Sequence, residues 1–134
     1  MADSPGTAKT LLDHLERYDR VVEVGIGRRT DIAAALAERG VSVTATDVHD
    51  REVPANVDFV RDDIVAPDPS VYADADALYA LNLPPELHRP ALEVAREVDA
   101  TFLFTTLGGD QPAVPVERKT LEAETLYVAR AMGR

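Results

Sequence analysis

The chain has 134 residues, no cysteine, and 24 acidic against 14 basic side chains, for a net charge of −10. That length suits a single domain with one core and is too short for a catalytic domain joined to a separate substrate domain, while the absence of cysteine excludes disulfides and thiolate chemistry. The acidic balance argues against a broad basic face for naked nucleic acid and leaves only local arginine patches for that purpose.

In chain order, Asp3 to Gly6 reads as a polar lead-in and Thr7 as the N-cap of a first helix, with Leu11, Leu12, Leu15 and Tyr18 at helical spacing. Its leucines read as core on the flank of a sheet. Val21 to Val24 is a short apolar strand that carries Glu23, turns on Gly25 and Gly27 and feeds a helix at Asp31. Ile32, Ala33, Leu36 and Ala37 give that helix one apolar stripe, and Gly40 is a natural stop. Val41 to Thr46 is a β-branched second strand with Asp47 at its end, about 20 residues after the turn, where a ribose-holding acid is expected. The rest of the chain is arranged around this βαβ unit: glycines let backbone approach a ligand, and the N–H groups of the new helix point at it.

His49 to Pro54 is a charged turn, and Val57 to Arg61 reads as a third strand ending at Asp62-Asp63-Ile64. A carboxylate at that tip is placed to accept from an adenine amino group while Ile64 packs on the ring; the other reading is a turn cap. Asp62 is read as the cap, and both readings stay open for Asp63. Pro67 to Tyr72 is a breaker-rich connection with one helical turn. Ala75 to Leu81 is an apolar fourth strand that stops at Asn82-Leu83-Pro84-Pro85-Glu86, at the carboxyl edge of the sheet where ligands gather. A helix follows from Pro85 or Glu86 to Val98, with Leu87, Leu92, Val94, Ala95 and Val98 inward. Thr101 to Thr106 is a fifth strand buried on both faces, closed by the Leu107 to Asp110 turn. Pro112 to Val116 is extended, and Lys119 to Arg130 is a bent edge strand, a hairpin or a helix, its alternation favouring β. The expected fold class is α/β, a three-layer, doubly wound, Rossmann-like and mostly parallel sheet.

The dinucleotide fingerprint fits poorly, because Thr30 stands at its third glycine and Glu23 where an apolar residue is usual, so NAD is the weaker ligand. An acid at Glu23 has a use if the ligand carries an ammonium group, as S-adenosylmethionine does. Glu23-Val24-Gly25-Ile26-Gly27 resembles the first motif of class I methyltransferases, with Asp47 matching their ribose acid and Asp63-Ile64 their adenine contact. The resemblance covers about residues 20–106 and implies strand order 3-2-1-4-5 with an added edge strand from the tail. It also implies a cofactor pocket of Glu23, Gly25, Ile26, Gly27, Asp47, Val48, Asp63 and Ile64, in which Glu23 faces the methionine amino end. Arg29 replaces the family's third glycine and Arg28 sits beside it. Cations at a helix N-terminus cost several tenths of a kcal/mol each unless paired, and Asp31, Glu23 or surface acids are the expected partners; the sharper alternative is an anionic group on a ligand or substrate.

The final hairpin and appended elements of full-length methyltransferases are expected to be missing. More closely, the pattern is similar to a small archaeal family of uncharacterised proteins with a reduced methyltransferase-like fold, through Glu23 to Gly27 and the Pro-Pro-Glu-Leu segment Pro84 to Leu87. The acidic composition, with Lys9 and Lys119 as its two lysines, resembles that of proteins from salt-accumulating halophilic archaea.

Methyl transfer is mainly alignment, since the sulfonium is already activated. Asn82 with Pro84 and Pro85 resembles the Asn-Pro-Pro-aromatic loop of amino-methyltransferases, which makes Asn82 the catalytic candidate at the acceptor end; Leu83 intervenes, and Glu86 stands in place of the aromatic. His14, His49 and His88 show no ligand spacing, so no metal site is expected. Neither a Gly-x-Ser-x-Gly elbow nor a phosphate loop occurs. Three readings follow: a minimal methyltransferase with an unknown small-molecule or macromolecular acceptor, a module that binds an adenosine ligand without turnover, and an empty scaffold acting through protein contacts. Short edge strands make a homodimer compatible with each. With neither a basic-then-apolar leader pattern nor an apolar run of bilayer length, the expected location is cytoplasmic.

Overall fold

A computed structural model describes residues 5–121 and 124–129. Helix α1 (Pro5–Leu15) begins ahead of Thr7, so the expected N-cap lies inside the helix. Strand β1 (Arg20–Glu23), helix α2 (Asp31–Glu38) and strand β2 (Ser42–Asp47) form the βαβ unit. Strand β3 (Asp58–Arg61) and the single-turn helix α3 (Pro69–Tyr72) follow, the turn capped by the Asp68 side chain, which accepts from Ser70 N–H. Strand β4 (Ala77–Ala80) leads through a 3₁₀ turn (Pro85–Leu87) into helix α4 (His88–Glu97) and strand β5 (Thr101–Phe104). Strands β6 (Glu117–Thr120) and β7 (Thr125–Ala129) end the description. Glu122, Ala123 and Arg130 of the expected tail element, and Asp3 and Ser4 of the lead-in, lie outside the described residues.

The sheet has seven strands in the order β3-β2-β1-β4-β5-β7-β6. The pairs β1–β2, β1–β4, β2–β3 and β4–β5 are parallel, and β7 runs antiparallel to both β5 and β6. The 3-2-1-4-5 core is as expected. The missing hairpin is corrected: β6 and β7 form it, joined at Thr120↔Thr125. Its outer strand, Glu117-Arg118-Lys119-Thr120, is exposed throughout and so carries no hydrophobic alternation to read, whereas β7 buries Leu126, Tyr127, Val128 and Ala129.

Side chains alternate between two apolar layers, as the strand period requires. Val21, Val43, Ala45, Tyr79, Leu103, Leu126 and Val128 face Leu11 and Leu15 of α1 and Ile32 and Leu36 of α2. Val22, Leu78, Ala80, Phe102 and Phe104 face Tyr72 of α3 and Ala91, Leu92 and Ala95 of α4. β3, like β6, departs from this pattern. No helix separates β2 from β3, α3 is one turn long, and β3 is exposed at Asp58, Val60 and Arg61. Among the described residues no helix is long and apolar enough to cross a membrane.

Candidate functional site

The loop after β1 is fixed on both sides. Val24 N–H donates to Tyr79 O at 2.8 Å and Ile26 N–H to Thr46 O at 3.0 Å, so the turn is an extension of both neighbouring strands. Gly25 (φ 67°) and Gly27 (φ 59°) take the left-handed conformation that makes the bend, and a Cβ at either would meet no atom within 4 Å. The bare backbone therefore faces open space.

Asp47, at the tip of β2, reaches back to that turn. Its Oδ2 accepts from Gly27 N–H at 2.8 Å and its Oδ1 from His49 N–H at 3.0 Å, with Arg51 Nε at 3.4 Å from Oδ2. Burial pushes the carboxyl upward, but the His49 and Gly27 N–H groups and the Arg51 charge outweigh it and hold it below the usual aspartate value. Asp47 is thus an anion with its carbonyl-edge neighbours already ordered around it.

Glu23 is 1% exposed. It pairs in register with Tyr79, whose hydroxyl donates to Glu23 Oε1 at 2.6 Å. Burial pushes the carboxyl up to about 8, against the opposing pull of the Tyr79 hydroxyl and the Arg29 charge. Arg29 itself pairs with Asp31 at 3.1 Å, one of the partners expected of it, and Arg28 is exposed.

A cavity of about 130 Å³ opens at this edge, lined by Gly25, Asp47, Val48, Asp63, Ile64 and Leu83 among others. It is smaller than a whole-ligand pocket of roughly 300 Å³ or more, and suits one ring. The structure thus brings Gly25, Asp47, Val48, Asp63 and Ile64 together. It keeps Glu23 off the lining, beneath the turn. Ile26 packs its side chain into the core with α1 and α2 and has its N–H bonded to Thr46 O, so its side chain is not part of the cavity wall. Asp63 Oδ1 accepts from Val65 N–H at 2.9 Å, so it caps its own turn and lines the cavity at once. Asp62 lines the cavity too, with both carboxylate oxygens engaged: it accepts from the Tyr72 hydroxyl at 2.6 Å and from Asp68 N–H at 3.0 Å.

Asn82 is exposed at the end of β4 with φ 55°, its N–H donating to Thr105 Oγ1 at 2.8 Å. Three residues escaped sequence reasoning. Tyr79 is found only through strand register. Arg51 looks like one charge in a charged turn. His88 is wholly buried, with Nε2 2.9 Å from Leu83 O and Nδ1 3.0 Å from Ala113 N. Because Ala113 N–H can only donate, Nδ1 is the acceptor and Nε2–H donates to Leu83, so a neutral ring ties the Asn82–Pro85 turn to the β5–β6 connection. Among the described residues no cluster of three or more His, Asp or Glu could hold a metal.

Comparison with known proteins places this geometry in context. The model of an uncharacterised protein family, UPF0146, matches residues 7–131. A UPF0146 protein of Halobacterium salinarum is 53% identical over 131 residues, covering 97% of this chain and 98% of its own. Among solved structures, an RNA methyltransferase from Salinibacter ruber in complex with S-adenosyl-L-homocysteine superposes with a TM-score of 0.66 at 15% identity, covering 96% of this chain and 92% of that one. A TehB-like SAM-dependent methyltransferase from Corynebacterium glutamicum gives 0.62 at 17% identity, covering 94% and 86%. At such identities the likeness is one of fold, and the fold is methyltransferase-like.

Proposed function

This chain belongs to the UPF0146 family, and we propose that on its methyltransferase-like fold it binds S-adenosylmethionine, with an acceptor still to be identified. The observation that carries the reading is Asp47: an ionised carboxylate at the tip of β2, bonded to Gly27 N–H and set on the rim of a ring-sized cavity. In this reading Asp47 takes the ribose hydroxyls, and the adenine enters between Val48 and Ile64 with Asp63 accepting from its amino group. The bare backbone at Gly25 and Gly27 lies along the ligand. Glu23 acts from beneath the turn, where an arriving ammonium favours its ionised form. Asn82, at the carboxyl end of β4, is the residue proposed for the acceptor side. The two neighbours described above support the fold alone.

The test is calorimetry of the purified protein against S-adenosylmethionine, S-adenosylhomocysteine, NAD and ATP. Molar potassium chloride is the appropriate medium, since a net charge of −10 on this small chain is self-repulsive at low salt. Binding of both adenosyl amino acids and neither of the others is expected. Absence of adenosyl binding would leave the empty-scaffold reading.

A further inference from the structure

We propose that Arg51 and Asp47 together form a clamp for a vicinal diol, Asp47 accepting from the hydroxyls and the Arg51 guanidinium donating to their oxygens. The inference rests on the adenosyl reading above and adds a residue and a specificity to it: the sugar must be a ribose.

Arg51 stands on the helix-free connection between β2 and β3 and pairs with Asp47 in an i,i+4 contact, Nε to Oδ2 3.4 Å. The N–H does not meet that oxygen in hydrogen-bonding geometry. Nε is shielded from solvent and, among the described residues, is the one buried side-chain polar atom without a hydrogen-bond partner. Native structures rarely leave a buried donor unmade, because it forfeits its bonds to water and gains nothing in return. Nε itself is closed to solvent, but the Arg51 side chain as a whole is 25% exposed, so a ligand reaches the donor by displacing that side chain outward.

Ligand chemistry follows from the donor inventory. A carboxylate only accepts and a guanidinium only donates, whereas a hydroxyl does both. One sugar hydroxyl can therefore donate to Asp47 and accept from Arg51, using the donor the unliganded protein leaves idle. A carbonyl or an ammonium satisfies one partner and not the other. Asp47 also lines the cavity that the base would occupy, which puts one arm of the clamp at the ring site itself.

The experiment compares S-adenosylhomocysteine with its 2′-deoxyribose analogue by calorimetry, for the wild type, Arg51→Ala and Arg51→Lys, with thermal unfolding as the check on folding. The wild type is expected to prefer the ribose ligand by about tenfold or more, the scale of one charge-assisted hydrogen bond. Arg51→Ala should cut the preference by about threefold or more by weakening the ribose ligand while leaving the deoxy analogue unchanged, the remainder being the bond from the hydroxyl to Asp47. Arg51→Lys, which keeps the charge beside Asp47 but not the planar fork, should also reduce the preference, and it serves if the alanine variant does not fold. Equal weakening of both ligands, an unchanged preference in the variants, or a wild type indifferent to the 2′-hydroxyl would overturn the clamp while the adenosyl reading stands. A wild type that binds neither ligand overturns both.

Discussion

The Tyr79 hydroxyl donates to Glu23 Oε1 across the paired strands β4 and β1 at 2.6 Å, at a depth where Glu23 is 1% exposed. A carboxyl placed there holds its proton well into the neutral range, pushed up to about 8 by burial from an ordinary 4.5. Over that interval the unfolded chain releases the proton and the folded one keeps it. The folded state then binds more protons, so the contribution of Glu23 to stability falls as pH rises through that window.

Replacing Glu23 with Gln keeps an acceptor for Tyr79 and removes the titration. From pH 5.5 to 8 the variant should gain on the wild type by up to about 3 kcal/mol. Denaturant unfolding at both pH values in molar salt reads the difference, and parallel pH profiles for the two proteins would sink the claim.

Ligand binding carries the complementary sign. A cationic amino-acid end favours ionised Glu23, so affinity for S-adenosylhomocysteine should rise with pH toward 8 and level off above it, with uptake of a proton by the buffer. Adenosine, which lacks the ammonium, should show no such slope. Calorimetry in two buffers of different ionisation enthalpy measures the proton directly.

Asp47 and Asn82 separate binding from turnover. Asp47→Ala frees the N–H groups of Gly27 and His49 and should lose adenosyl affinity by about a hundredfold or more, along with about 1–2 kcal/mol of stability. Asn82→Gly keeps the left-handed backbone at φ 55° and removes only the amide. It should bind the cofactor as the wild type does and lose methyl transfer to whichever acceptor is found.

Gly27→Ala tests the open backbone. The left-handed φ of 59° predicts a cost of about 1–2 kcal/mol to any side chain, while the space around the new Cβ is empty. Any loss of ligand affinity beyond that seen in urea unfolding then reports the approach of the ligand itself.

His88→Leu strands Leu83 O and Ala113 N–H and breaks the contact with Phe104 at 4.4 Å. A loss of about 2–4 kcal/mol is expected. Hydrogen exchange should quicken at Leu83 and Ala113 more than in β1 or β2, the paired centre of the sheet.

The βαβ unit could be read in the residues because its signals are local. Val43 and Ala45 alternate with polar residues along β2, Ile32 and Leu36 form one helical stripe, and the glycines mark the bend. The nearness of Asp47 to Gly27 followed from that motif. What could not be read depends on register or on unmatched groups. Tyr79 meets Glu23 only because β4 pairs with β1 in one particular offset, and nothing in a single histidine announces that both His88 nitrogens are engaged. The outer strand of the terminal hairpin was hidden for the opposite reason: with Glu117 through Thr120 all facing water, no burial pattern exists to detect.

The thin cover over β3 has a mechanical consequence. Asp63 and Ile64, which wall one side of the cavity, follow a strand with little protein behind it, so that margin opens at a lower free energy than the centre of the sheet. A planar guest seated there would act as a splint, supplying from outside the bracing that a longer chain would draw from another helix.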